Sequence, residues 1–193
     1  MSTTILTAES FHDTQWAGGT TTEFFIYPRT ATYDQRNFSF RLSKAKVEAD
    51  PSVFTPLPEV ARTLMVLDGT MTLTHEGHHT STLNKFDIDV FDGAWQTSSA
   101  GQCTDVNLMT MGEAQGSLEG LAIDKSQIID YPLKEASNWL LMYVYVGKVS
   151  IYINNEKHTV NQGDVLVLEH PSFISLQVKG RQDSEVVFCH VQA

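Results

Sequence analysis

Apolar and polar residues alternate with a period of two along most of this chain, and no long segment carries the 3.6-residue apolar repeat of an amphipathic helix. Phe38, Phe40 and Leu42 alternate with Ser39, Arg41 and Ser43. Val106 and Leu108 alternate with Asp105, Asn107 and Met109, and Ile88 and Val90 with Asp87 and Asp89. The run TTTEFFIYP is β-branched and aromatic, and it stops at Pro28. A single short strand cannot bury its apolar face, so a chain of many such strands must pack them into a sandwich or barrel.

Turn signals punctuate the strands. RTLMVL and TMTLTH flank Asp68-Gly69, and WLLMYVYV and VSIYIN flank Gly147-Lys148; both read as hairpins. HTV and VLVLEH flank a turn at Asn161–Asp164, and FISLQV and EVVFCHV finish the chain. Each half thus has a strand, a glycine turn, an alternating strand, a second turn and another strand. This repeat of pattern predicts two copies of one β unit: an N-terminal lobe over 1–111 and a C-terminal lobe over 132–193, with scope for strand exchange. Residues 112–131 read as a linker with at most a short helix.

With 41% hydrophobic and 19% charged residues in 193, the chain can bury a proper core. A net charge of −10 repels phosphate and anionic lipid, so neither nucleic acid nor a membrane is an expected partner. Cys103 and Cys189 are far apart and form no C-x-x-C pair, which fits reduced thiols. The start MSTTILTAESFHD lacks a basic region and an apolar stretch, so no secretory leader is read there and a cytoplasmic location is expected.

Small β-barrels with this rhythm include the cupins, whose metal frame is G-x5-H-x-H-x3,4-E-x6-G followed by G-x5-P-x-G-x2-H-x3-N. Laid from Gly69, the frame places His75 at the first ligand position but Gly77 at the second and Gln96 at the later one. Laid from Gly147 it meets Ile153, Asn155 and Ile174. A transition-metal site needs three or four converging donors, so neither a metal nor another cofactor is expected. His75, His78 and His79 read as solvated residues at a hairpin tip, and Asp87 with Asp89 as a solvated stripe. No nucleophile elbow, phosphate-binding loop or dinucleotide fingerprint occurs.

Five stretches together resemble the HutD/Ves family: WAGGTTTE at 16–23, RNFSFRLSKAKV at 36–47, FTPLPEVARTLMVLDG at 54–69, FDGAW at 91–95 and TDVNLM at 104–109. The chain departs from the usual family pattern in two places. The glycine stretch after Trp16 is two residues shorter and lacks an asparagine, and Ala94 stands where an acid is usual. The resemblance implies an all-β, double cupin-like barrel (a bicupin of jelly-roll type). It also implies a genetic association with histidine utilisation and no established catalytic activity. A role in binding a pathway intermediate, such as a formylated or formiminated glutamate or urocanate, has been suggested for the family.

Polar side chains on the inward faces of such barrels need partners or a ligand, because an unpaired buried charge is expensive. Arg41 and Ser43 share one strand face, as do Asp105 and Asn107, and Arg62 opens an otherwise apolar strand. Thr21, Glu23 and Phe25 share a face beyond the glycines, and Trp16 stands before them. The expected ligand-binding set is therefore Trp16, Thr21, Glu23, Arg41, Ser43, Arg62, Asp105 and Asn107, with guanidinium forks suited to a carboxylate. The bland alternatives are an Asp105–Arg41 ion pair, an Arg62 that caps a strand and a Trp16 that belongs to the core. The leading expectation is a non-enzymatic, regulatory binder of a small carboxylate. The alternative is a metal-independent enzyme with Glu23 or Asp105 as base and Arg41 or Arg62 as electrostatic stabiliser. An exposed apolar strand such as VVFCHV is a candidate homodimer interface, although core is its commoner use.

Overall fold

The computed structural model of the protein describes residues 1–134, 137–171 and 175–193; Ile174 and the start of FISLQV lie outside them. Beyond one turn of 3-10 helix, Ala8–Ser10, every described element is a strand. In chain order these are β1 (Ser2–Leu6), β2 (Asp13–Trp16), β3 (Gly19–Tyr27), β4 (Phe40–Val47), β5 (Ser52–Val53), β6 (Val60–Gly69), β7 (Met71–His75), β8 (Thr80–Leu83), β9 (Ile88–Asp92) and β10 (Thr97–Ala100). They continue as β11 (Cys103–Met111), β12 (Gln115–Ile123), β13 (Ile128–Asp130), β14 (Trp139–Val146), β15 (Lys148–Ile153), β16 (Glu156–Asn161), β17 (Val165–Glu169), β18 (Leu176–Gly180) and β19 (Ser184–Gln192). Among the described residues no helix is long and apolar enough to cross a membrane.

The strands form two compact units, Phe11–Gly116 and Met1–Ser10 with Ser117–Ala193. The first holds a six-stranded sheet, β2-β3-β4-β11-β6-β9, and a four-stranded sheet, β5-β10-β7-β8. The second holds a five-stranded sheet, β12-β19-β14-β17-β1, and a four-stranded sheet, β13-β18-β15-β16. The repeat foreseen in the sequence is explicit in this order. Adding eight to each strand of β4-β11-β6-β9 and β5-β10-β7-β8 gives β12-β19-β14-β17 and β13-β18-β15-β16. What differs is the margin: β2 and β3 extend the first unit, whereas β1 extends the second by pairing with β17. Each unit is two open sheets packed over a core rather than one closed ladder.

Four expectations are corrected. Residues 112–131 are strands β12 and β13, not a linker, and residues 1–10 belong with the C-terminal unit. Their side chains pack one face only, so their pattern is weak: β12 reads exposed, exposed, half-buried, buried from its start. Gly69 and Gly147 do not close hairpins, because β6 and β7, like β14 and β15, lie in different sheets. They turn the chain through a corner between sheets at φ +78° and +83°, where a side chain would also strike the carbonyls of Gln102 and Asp183. The run VVFCHV takes the commoner of its two expected uses: it is an interior strand, β19, between β14 and β12, and Val186 to Val191 are all buried.

The fourth correction concerns side-chain direction. A bulge between Glu23 and Phe25 sets Glu23 opposite Ser43 but Phe25 opposite Leu42. Phe25 therefore turns to the other face, stacked on Phe40 at 5.6 Å, and Glu23 keeps the face of Arg41 and Ser43.

The two interiors are filled differently. The C-terminal unit has a large apolar cluster, including Leu140, Met142, Val149, Ile151, Leu166 and Phe188. At its margin the Tyr131 hydroxyl donates to Glu119 Oε2 at 2.8 Å, so His190 Nε2–H donates to Tyr131 at 2.8 Å. Burial pushes the His190 imidazole down to about 4, so it stays neutral. The N-terminal unit includes smaller clusters, one around Leu64, Met71 and Leu73 and one around Ile26, Phe38 and Leu57, and Phe40, Leu42, Val106 and Leu108 are buried besides. Polar side chains occupy space between the same sheets.

Candidate functional site

A cavity of about 530 Å³ opens in the Phe11–Gly116 unit, and all eight residues expected from the sequence line it. Strand pairing explains how. Met109 on β11 lies opposite Arg41 on β4 and Arg62 on β6, so both arginines stand in one cross-strand row. Asn107 pairs with Ser43 in the next row and Asp105 with Ala45 in the one after. Period-two alternation puts all of them on the same face. Glu23 and Thr21 on β3 extend these rows, opposite Ser43 and Ala45.

At the mouth, Trp16 remains 38% exposed rather than buried as core. A Cβ at Gly18 would stand 2.0 Å from its ring, so the glycine is the surface on which the indole lies. The stretch WAGG thus shapes the entrance and hands the chain to β3.

The arginines have different surroundings. Arg41 Nε donates to Glu23 Oε2 at 2.7 Å and Nη1 donates to Ser43 Oγ at 3.0 Å. Its guanidinium lies 4.5 Å from the Tyr33 ring centre. Arg41 is thereby held in place, by Glu23 rather than by Asp105. Arg62 is not a strand cap. It is buried, with its guanidinium 4.7 Å from the ring centre of Phe54 and 5.1 Å from that of Phe91, and its Nε has no hydrogen-bond partner. Asn107 Oδ1 is likewise buried and unpartnered.

Burial lowers the Arg62 guanidinium to about 10, against the pull of Asp105, and it remains a cation at neutral pH. Burial raises the Asp105 carboxyl to about 7, with Arg62 opposing the rise. No ion pair joins Asp105 to Arg41 or Arg62 among the described residues. The cavity therefore holds a fixed guanidinium, a free buried guanidinium edge, an orphaned amide oxygen and a carboxyl poised near neutrality.

Sequence reasoning missed the rings that frame the arginines. Tyr33 and Phe54 sit in connections after Pro28 and Pro51, where no alternation assigns a direction. Phe91 lay inside a quoted family stretch but had no partner assigned.

Of the frame positions of a cupin metal in the first unit only the first, His75, holds an imidazole: Gly77 and Gln96 stand at the next two, and the second unit offers Ile153 and Asn155. A metal at those positions does not fit. His78 and His79 are exposed in the turn between β7 and β8, as expected, but His75 is not solvated, and Asp89 is no solvated stripe. On β9, Asp89 and Phe91 face inward, while Val90 is 63% exposed. His75 is buried, its Nε2 3.3 Å from Asp89 Oδ2, and His79 Nε2 lies 3.0 Å from Asp89 Oδ1. His78 instead stacks on Trp95 at 3.7 Å. Burial would raise Asp89, but hydrogen bonds from His79, Ser81 and His75 outweigh it and hold the carboxyl below its usual range.

The fold recurs in solved structures. A conserved protein of unknown function, PA5104 from Pseudomonas aeruginosa, matches over 100% of both chains with a TM-score of 0.85 at 19% identity. HutD from Pseudomonas fluorescens matches over 99% of this chain and 98% of its own, with a TM-score of 0.75 at 20% identity. The bacterial pirin YhhW of Escherichia coli matches over 98% of each chain, with a TM-score of 0.71 at 13% identity. No curated protein matches the sequence. These likenesses place the fold among the cupin-like proteins. The HutD family model matches residues 8–188, nearly the whole run from the first turn of β1's unit through β19, and on that match the chain belongs to the HutD family.

Proposed function

We propose that the protein is a non-catalytic binder of a small carboxylate with an N–H donor, acting as a regulatory component of histidine utilisation. The observation that carries the binding half is the buried, unpartnered Nε of Arg62 beside the orphaned Oδ1 of Asn107. A buried donor and a buried acceptor without partners are each unfavourable, so a ligand that satisfies both gains the difference. The guanidinium edge takes a carboxylate, and Asn107 with Asp105 takes N–H groups. The aromatic walls and a volume of about 530 Å³ suit a metabolite of amino-acid size. Acylated glutamates and urocanate carry both features. The regulatory half rests on family membership alone.

The test is thermal unfolding with urocanate, formiminoglutamate, formylglutamate and glutamate. At about 100 times its dissociation constant a ligand adds about 2.7 kcal/mol, and at least one of the four is expected to do so. No shift from any of them contradicts the proposal. The same samples separate the enzymatic alternative, in which Asp105, held near 7, acts as base. Binding without consumption of the ligand is the outcome expected here.

A further inference from the structure

A second cluster of polar groups in the same unit lies outside the lining of that cavity. His75 Nε2, His79 Nε2 and the Asp89 carboxylate all lie within 4.8 Å of one another. The Thr97 hydroxyl gives its hydrogen to His75 Nδ1 at 2.8 Å, the shorter of its two contacts, so His75 Nε2–H donates to Asp89 Oδ2 at 3.3 Å. His79 Nε2 faces both oxygens of the same carboxylate, at 3.0 and 3.2 Å. Two ring nitrogens thus converge on one carboxylate, and a cation can take the place of their protons. With Nε2 deprotonated, His75 carries its proton on Nδ1 and donates to the Thr97 oxygen, whose hydrogen turns to the Trp95 carbonyl at 3.3 Å.

We infer that His75, His79 and Asp89 form a binding site for a divalent first-row transition-metal ion, with Thr97 as the group that orients His75. Four ligands at ~2.0–2.1 Å in a tetrahedron stand ~3.3 Å apart, which is the spacing already present along both His–Asp edges. The remaining edge is at most 4.8 Å, and His79, whose side chain is partly exposed, has room to turn and shorten it. A buried imidazole whose other nitrogen donates to an oxygen is the usual support of a metal-bound histidine. Two imidazoles and one carboxylate suit zinc, cobalt, nickel or iron(II), and they leave a coordination position for water. The donors come from β7, the turn after it and β9, so the ion ties the four-stranded sheet to the six-stranded one.

Tag-free protein, stripped with a chelator, is titrated with Co²⁺ and followed by visible absorption. Zn²⁺ affinity is then read by competition with a chromophoric chelator. One equivalent of tightly bound metal is expected. His79→Ala and Asp89→Asn are expected to weaken it by more than the ~10–100-fold typical of losing an orienting partner, and Thr97→Val by about that amount. His78→Ala, which removes a ring stacked on Trp95 and no donor, should leave it unchanged. Far-UV circular dichroism of each variant separates loss of a ligand from loss of fold, and His79, at the surface, is the substitution least able to disturb folding. Absence of stoichiometric binding by the unsubstituted protein overturns the inference. So does binding that survives unweakened in folded His79→Ala protein, or that depends equally on His78.

Discussion

Arg62→Met is expected to give a protein at least as stable as the parent and unresponsive to small carboxylates. The two effects have one cause. The Arg62 guanidinium is buried on Phe54 and Phe91 with Nε unpartnered, and its charge is held there against desolvation. Methionine fills similar volume without a charge to desolvate, and such replacements are commonly neutral or stabilising. Binding moves the opposite way. Truncating one partner of a buried, hydrogen-bonded charge pair costs about 2–5 kcal/mol, roughly 30-fold or more in affinity. Arg41 cannot take over, because Glu23 and Ser43 already hold it. Chemical denaturation and a calorimetric titration with the best ligand of the panel check the two halves. A variant that loses stability but keeps its affinity would make Arg62 structural.

Asp105→Asn is expected to stabilise the protein at pH 8 and to change little near pH 4. The sign follows from the raised carboxyl. Between the ordinary value of 3.8 and the folded value of about 7, the native state holds a proton that the unfolded state has released. Stability therefore falls as pH rises through that window, by an amount on the order of 4 kcal/mol if the whole shift is expressed. Asparagine mimics the neutral acid and abolishes this slope. His190 acts in the other direction: it stays neutral in the native state down to about 4, so stability from this residue is lost as pH falls below its ordinary 6.5. The difference between parent and variant, measured at each pH, isolates Asp105 from His190. A difference that does not grow from pH 4 to pH 8 would mean that Asp105 is ionised without penalty.

Both residues are thus held at the expense of the fold, which is what distinguishes this face of the sheet from the apolar interior of the C-terminal unit. That contrast was legible in part. Alternation transmits direction along a strand, so Arg41 and Ser43, or Asp105 and Asn107, could be assigned a common face from residue numbers alone. Strand order could not be read, because the rows that join Arg41, Met109 and Arg62 are set by long-range pairing. The bulge that turns Phe25 away from Glu23 adds one residue and leaves no compositional mark. Glycine signals a left-handed backbone but not its use, and the corners at Gly69 and Gly147 have the same local chemistry as a hairpin turn. The His75–His79–Asp89 cluster escaped for a third reason. Adjacent histidines do point apart on a strand, but His79 lies beyond the end of β7, where the turn folds it back toward Asp89.

The most direct measurement is a crystal structure of the protein grown with the tightest binder of the panel. The ligand's carboxylate is expected within ~2.7–3.2 Å of Arg62 Nε, with an N–H of the ligand on Asn107 Oδ1. A ligand seated elsewhere, with both of those atoms still unpaired, would contradict the proposal.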